Sequence, residues 1–137
     1  MVSLDVPAVK DLLFQLGYFL EFEEVRRRYR IVAASVDHVV LVAEQLGLIV
    51  GFCHIYGRPA LDKPPEAVVQ VLVVDETSRG GGVGKAMMRA AEGWAVDRGF
   101  TSIALASDIV RAQAHEFYDS IGYRHFATSH LFRKVLI

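Results

Sequence analysis

Only one of the 137 residues is a cysteine, Cys53, so the chain closes no disulfide on itself and assembles no thiolate cluster for zinc. No apolar run approaches the ~18 residues needed to cross a bilayer. The N-terminus carries Asp5 and Lys10 where a secretory signal wants a basic start and an unbroken apolar stretch, which predicts a soluble, cytoplasmic protein. Fifteen basic residues stand against sixteen acidic ones, a formal net charge of −1, and so weak a field argues against nucleic acid or an anionic membrane as partners. The five histidines show no metal-ligand spacing, so no metal is expected.

What the chain does have is apolar substance. Hydrophobic residues make up 53% and charged residues 23%, enough to fill a core; a chain of this size buries about two-thirds of its unfolded surface. Its length predicts one domain, residues 1–137, with one active site. Charge is unevenly spread: residues 1–76 hold 11 acids and 7 bases, hence −4, and residues 77–137 hold 5 acids and 8 bases, hence +3. The two halves either face oppositely charged ligands or differ by chance.

Periodicity supplies the elements. Val6, Val9, Leu13 and Leu16 make a helical stripe over Asp5 to Leu16, stopped by Gly17. Phe22, Val25, Tyr29 and Val32 make a second, over Glu21 to Ala34, with Glu23 to Arg27 and Glu24 to Arg28 as i,i+4 pairs. Arg26, Arg27, Arg28 and Arg30 there alternate with acids and read as a solvated face. Val39 to Glu44 and Leu48 to Tyr56 read as a hairpin, and Arg58 to Pro65, with three of the four prolines, as loop. Ala67 to Val74 is almost wholly apolar, the mark of a strand covered on both faces. A third stripe, Val83, Met87, Ala90 and Trp94, ends near Gly99, and Ser102 to Ala106 is a short strand. A fourth, Ala114, Phe117, Tyr118 and Ile121, is closed by Gly122, and Tyr123 to Ala127 and His130 to Leu136 are expected as final strands. This order is a mixed α/β layer structure.

Between the buried strand and the third helix lies Arg79-Gly80-Gly81-Gly82-Val83-Gly84-Lys85. Glycines let successive N–H groups turn inward, a helix start adds partial positive charge, and Arg79 and Lys85 add formal charge, so the turn suits a phosphate or pyrophosphate. A purely structural turn is the competing reading. A nucleotide-triphosphate P-loop is excluded, since its first glycine and its Ser or Thr would fall on Arg79 and Ala86. The dinucleotide fingerprint fails too, its third glycine landing on Lys85 or Met87.

Arg79-x-x-Gly82-x-Gly84 resembles the acyl-CoA pyrophosphate loop of the GNAT superfamily of N-acyltransferases. Ala114-His115-Glu116-Phe117-Tyr118-Asp119-Ser120-Ile121-Gly122-Tyr123 is similar to that superfamily's later helix, an alanine, then an aromatic pair ending in Tyr, then Gly and an aromatic. The resemblance covers nearly the whole chain from Asp5 to Val135. It implies an α/β (α+β) fold with a mixed central sheet, splayed central strands and flanking helices. Only Met1 to Leu4 precede the first helix, so the superfamily's first strand is short or missing here.

The resemblance further implies acetyl-CoA as acyl-donor cosubstrate. Its pantetheine arm would pair with the backbone of Leu72, Val73 and Val74 as an added strand does, and one of those amides would polarise the thioester carbonyl. Its pyrophosphate would sit on the amides of Gly80, Gly81, Gly82, Val83, Gly84 and Lys85 beside Arg79. Ser107, after Ala106, would close the slot. Arg111 stands where many members have an asparagine on the pantetheine, and would reach a CoA phosphate. Tyr118 matches the tyrosine that protonates the departing thiolate; read from the residues alone, it completes the apolar stripe with Ala114 and Ile121. A carboxylate base on the central strand would fall near Val68 or Gln70, neither of which accepts a proton. Glu44, or His54 between Phe52 and Tyr56 on an alternating face, is left to relay the amine proton through water, and Tyr18 lies in the Gly17 to Phe22 region where acceptors bind. The expected activity is acetyl transfer to a primary amine, small and cationic, by direct attack in a ternary complex. The alternative is a non-catalytic acyl-CoA sensor. A homodimer is compatible with either.

Overall fold

The structure is a computed structural model that describes residues 1–107 and 111–137. It divides into two compact units, Met1–Ala106 and Ser107–Ile137.

The first unit is a four-stranded sheet in the order β1-β2-β3-β4 with helices on both faces. The helix α1 (Val6–Gln15) starts with a proline in its first turn, where the missing N–H costs nothing. It ends at Gly17, whose φ of 92° lets the Tyr18 N–H reach back to Leu13 O at 3.0 Å. Val6, Val9 and Leu12 are its buried residues, so the stripe runs through Leu12 rather than Leu13, which is half-buried. Glu23 and Glu24 begin α2 (Phe22–Ala33), favouring its positive N-terminal end. Glu24, not Glu23, takes Arg27: the guanidinium fork binds both Glu24 oxygens at 2.8 and 3.0 Å while Arg28 adds a 2.7 Å bond. Those bonds hold the Glu24 carboxyl at about 2, and Glu23 instead meets Arg26 at 3.6 Å.

The antiparallel strands β1 (His38–Gln45), β2 (Leu48–Arg58) and β3 (Glu66–Val74) form the body of the sheet. Phe52 on β2 and Val73 on β3 join Val6, Val9, Leu12 and Val25 in one core cluster, so this face is covered by α1 and α2. Gly51, one residue before Phe52, turns to the opposite face. A Cβ there would lie 2.8 Å from Met87 and 2.9 Å from Val73 O, so only glycine lets α3 (Val83–Asp97) pack this closely on the sheet. A parallel strand, β4 (Ile103–Leu105), completes the unit. No strand precedes α1 among the described residues: a 3-10 turn, Ser3–Asp5, occupies that place, and the Met1 ammonium donates to Val40 O at 3.1 Å on the edge strand β1.

In the second unit α4 (Ala112–Ser120) ends at Gly122, whose φ is 95°, and the Tyr123 N–H bonds Tyr118 O at 2.9 Å. Residues 123–137 form no strand, contrary to the expectation from their alternating pattern. Alternation supplies a face, but a strand also needs a partner to close its ladder, and here Phe126 and Phe132 stand exposed.

Leu12 is 2% exposed at the centre of the α1–sheet contact. Leu12→Ala should cost about 3 kcal/mol through lost burial and the cavity left behind, read as a lowered midpoint in urea with an unchanged slope.

Candidate active site

The sheet opens beside β3. That strand pairs with β2 along its whole length, but with β4 only at Ala67, Val68 and Val69, opposite Ile103, Ala104 and Leu105. From Gln70 to Val74 the side away from β2 has no neighbouring strand in this unit. A bulge marks the boundary: His54 opposes Val71 and Ile55 opposes Val69, leaving Gln70 unmatched.

The bulge changes which amides face the opening. Before it, the Ala67 N–H points to β4, bonding Ser102 O at 3.0 Å; after it, the Asp75 N–H points to β2, bonding Val50 O at 2.7 Å. Alternation then turns Val73 and Val71 towards β2, and Val74 and Leu72 towards the open side. Of the three residues expected to meet a pantetheine arm, Leu72 and Val74 therefore offer outward amides, and Val73 spends its own on the ladder.

The chain leaves β3 through a short 3-10 turn, Glu76–Ser78, fixed from two sides. The Asp75 carboxylate accepts from the Thr77 hydroxyl at 2.6 Å and the Thr77 N–H at 2.9 Å, and from Gln15 Nε2 on α1 at 3.1 Å. These bonds, Thr77's first, hold it below the usual carboxylate range. Gln15 Oε1 in turn accepts from the Glu76 N–H at 2.9 Å. Arg79 Nε donates to Val74 O at 3.0 Å, so this guanidinium sits at the mouth of the opening. Gly80 and Gly82 both adopt left-handed φ, 83° and 85°. The first bond of α3 runs from the Ala86 N–H to Gly82 O at 3.0 Å, which leaves the N–H groups of Val83, Gly84 and Lys85 without acceptors inside the helix. Gly81 and Lys85 are exposed beside them. The turn thus carries free N–H groups, a helix start and two cations at the end of the open strand, an arrangement suited to a pyrophosphate.

Two groups that the sequence treated as separate candidates lie apart. Glu44 is exposed at the hairpin end of β1, opposite Ile49, whereas His54 faces Val40, four residues away along the same strand, about 13 Å at the rise of a strand. His54 shares a face with Phe52 and Tyr56, and its Nε2 lies 2.9 Å from His38 Nδ1. Burial, then the charge of His38, pushes the His54 imidazole down to about 4. His38 escaped sequence reasoning because its pairing depends on the β1–β2 register. Tyr18 is exposed in the α1–α2 turn, next to an open cavity of about 600 Å³ lined by Asp11, Phe14, Gln15, Gly17, Phe19 and Glu76. Burial drives the Cys53 thiol up to about 12, so it is no nucleophile. In the second unit, Ser107 is half-buried, Arg111 is exposed at the start of α4, and Tyr118 is half-buried with its ring 6.0 Å from Tyr123. Among the described residues no three His, Cys, Asp or Glu side chains gather as metal ligands, and no helix is long and apolar enough to cross a membrane.

Residues 8–123 match the acetyltransferase (GNAT) family. The chain belongs to that family. Acetyl-CoA is the family's acyl donor, and the split sheet with its glycine turn is the family's fold. An uncharacterised N-acetyltransferase of Bacillus subtilis is 26% identical over 90% of this chain and 86% of its own length. Human N-acetylaspartate synthetase is 36% identical over 41% of this chain, a match that spans 18% of the human protein. An aminoglycoside N-acetyltransferase, solved with a bisubstrate analogue joining CoA to monomethyl-acetylneamine, superposes with a TM-score of 0.88 over 98% of this chain and 95% of its own at 16% identity, a likeness of fold.

A Cβ on Gly82 meets nothing within 4 Å, so a side chain there acts through backbone strain and by crowding the cradle, not by a clash in the empty protein. Gly82→Val should weaken acetyl-CoA binding at least tenfold, about 1.4 kcal/mol, measured by calorimetry; unchanged affinity would remove the loop from the cofactor site.

Proposed function

We propose that the protein is an N-acetyltransferase that moves the acetyl group of acetyl-CoA to a primary amine by direct attack in a ternary complex. The observation that carries this reading is the open edge of β3 beyond Val69, running into a glycine turn at the start of a helix. The edge suits the amide groups of pantetheine, and the turn suits the pyrophosphate. We read the two units as one catalytic domain, since the family match at 8–123 crosses the boundary between them.

In this mechanism an outward amide of β3, at Leu72 or Val74, donates to the thioester carbonyl and favours the oxyanion that forms as the amine attacks. The C–N bond forms, the C–S bond breaks, and the thiolate leaves with a proton from Tyr118, which stands in the family's tyrosine position. Free tyrosine at ~10 and a thiol near ~8.5 make that transfer only modestly uphill. Ser107 and Arg111 are assigned to the cofactor, Arg111 to a CoA phosphate. The acceptor is cationic: residues 1–76 carry a charge of −4, Asp11 and Glu76 line the cavity at the α1–α2 turn, and the aminoglycoside N-acetyltransferase of the same fold is solved with an analogue that links CoA to an acetylneamine. Tyr18, at that turn, is placed on the acceptor side.

A thiol-release screen of acetyl-CoA against neutral, acidic and cationic amines should give turnover with cationic amines, weakened by salt. A sensor that only binds acyl-CoA would show tight binding and no thiol with any amine. In the active enzyme, Tyr118→Phe should lower the chemical rate by ~10²-fold or more while acetyl-CoA affinity and Tm barely move; a purely structural tyrosine would lose Tm and keep its rate.

A further inference from the structure

Among the described residues, three stretches of the sheet have no neighbouring strand on one side, and two of them are already taken. On the edge of β1 lies the N-terminus: the Met1 ammonium donates to Val40 O at 3.1 Å, and the Tyr29 hydroxyl donates to Met1 O at 3.1 Å. The side of β3 beyond Val69 is assigned to the cofactor. What remains is the outer side of β4, which pairs with β3 alone. Residues 123–137 present the opposite case, a strand's pattern that forms no ladder in its own chain. We propose that the protein is a dimer in which this arm, through His130 to Leu136, adds a strand to the outer edge of β4 in a second copy and receives that copy's arm on its own β4.

The backbone of β4 is set for an added strand. Ser102 O accepts from the Ala67 N–H at 3.0 Å, so Ser102 turns towards β3, and alternation turns the N–H and C=O groups of Ile103 and Leu105 to the outer edge. A row of donors and acceptors of this kind is a template for another chain. Ile103 and Leu105 are only half-buried, which leaves apolar surface beside that row. Charged residues and proline are the usual guards of a bare edge, and β4, Ile-Ala-Leu, has neither.

The arm fits this edge. It holds no proline and no glycine, so nothing in it interrupts a ladder. Phe126, Leu131, Phe132, Val135, Leu136 and Ile137 are each at least 78% exposed, more apolar surface in one short segment than a monomer usually shows to water. His130 and Phe132 already share a side, with ring centroids 6.5 Å apart, as residues two apart do in an extended chain. Charge directs the arm to the body of a copy rather than to another arm. It carries Arg124, Arg133 and Lys134 and no acid, hence +3, whereas residues 1–106 hold 13 acids and 11 bases, hence −2. Size suffices as well: Phe126 and Phe132 bring about 150–250 Å² each, and two arms with the surfaces they cover pass the roughly 1,000 Å² that a specific interface needs. Reciprocal exchange closes on a two-fold axis, so assembly stops at two copies.

Sedimentation of the full chain at micromolar concentration should give a dimer. Phe132→Asp combined with Leu136→Asp places two carboxylates on one side of the arm, where burial without a partner is costly. The double variant should raise the dissociation constant at least ~100-fold while its circular dichroism keeps the wild-type helix signal. A wild type that sediments as a monomer, or a dimer that the two substitutions leave intact, would overturn the exchange. Isotope-filtered NMR on wild type mixed from labelled and unlabelled copies needs no substitution and so does not depend on how the variant folds. Contacts should run from Ile103 and Leu105 of one copy to residues 130–136 of the other. Contacts from the arm to β4 of its own copy alone, or intermolecular contacts that place it on β1 or on the open side of β3, would overturn the proposal.

Discussion

A strand paired on one side only is the constraint on which the rest of this molecule depends. β3 is held by β2 from end to end, while β4 leaves it after Val69. The Gln70 bulge falls at the point where the second partner is lost, and it re-aims the backbone there. Without that extra residue, Leu72 and Val74 would direct their amides into the β2 ladder and the open edge would present the wrong groups. Unpaired strand edges are a hazard that proteins usually cover. Here the exposed row of donors and acceptors runs straight into the glycine turn, and Arg79 already occupies the Val74 carbonyl at its end.

Holding such an edge open requires both faces of the sheet to be firm. On one face α3 sits so close that Gly51 can carry no Cβ, and its own N-terminus then points at the turn that precedes it. On the other, α1 and α2 bury Phe52 and Val73, and Gln15 at the end of α1 clamps both Asp75 and the Glu76 N–H. The end of α1 and the turn that leaves β3 are therefore one hydrogen-bonded assembly.

Much of this was legible in the sequence, for identifiable reasons. The buried strand at 67–74, the glycine turn with its two cations and the helix stripes are local patterns, and they pointed to the family. What was not legible depends on register. The Gln70 bulge has no local signature, so the sequence treated Leu72, Val73 and Val74 alike where the structure separates them by parity. His38 and His54 are sixteen residues apart and meet only because β1 and β2 pair as they do. The stretch 123–137 shows the converse, since its alternation is a strand's pattern with no partner strand to complete it. Glu23 and Glu24 both had an arginine four residues on, and only the geometry of Arg27's fork decided for Glu24.

The central claim is that the open side of β3 receives the donor through the amides of Leu72 and Val74. Residue-resolved amide hydrogen exchange, with and without saturating CoA, tests it directly. Binding should slow exchange at Leu72, Val74 and the turn from Gly80 to Lys85, and leave Val71 and Val73, already bonded to β2, almost unchanged. Equal slowing at all four strand residues, or none at Leu72 and Val74 in a complex that demonstrably forms, would contradict it.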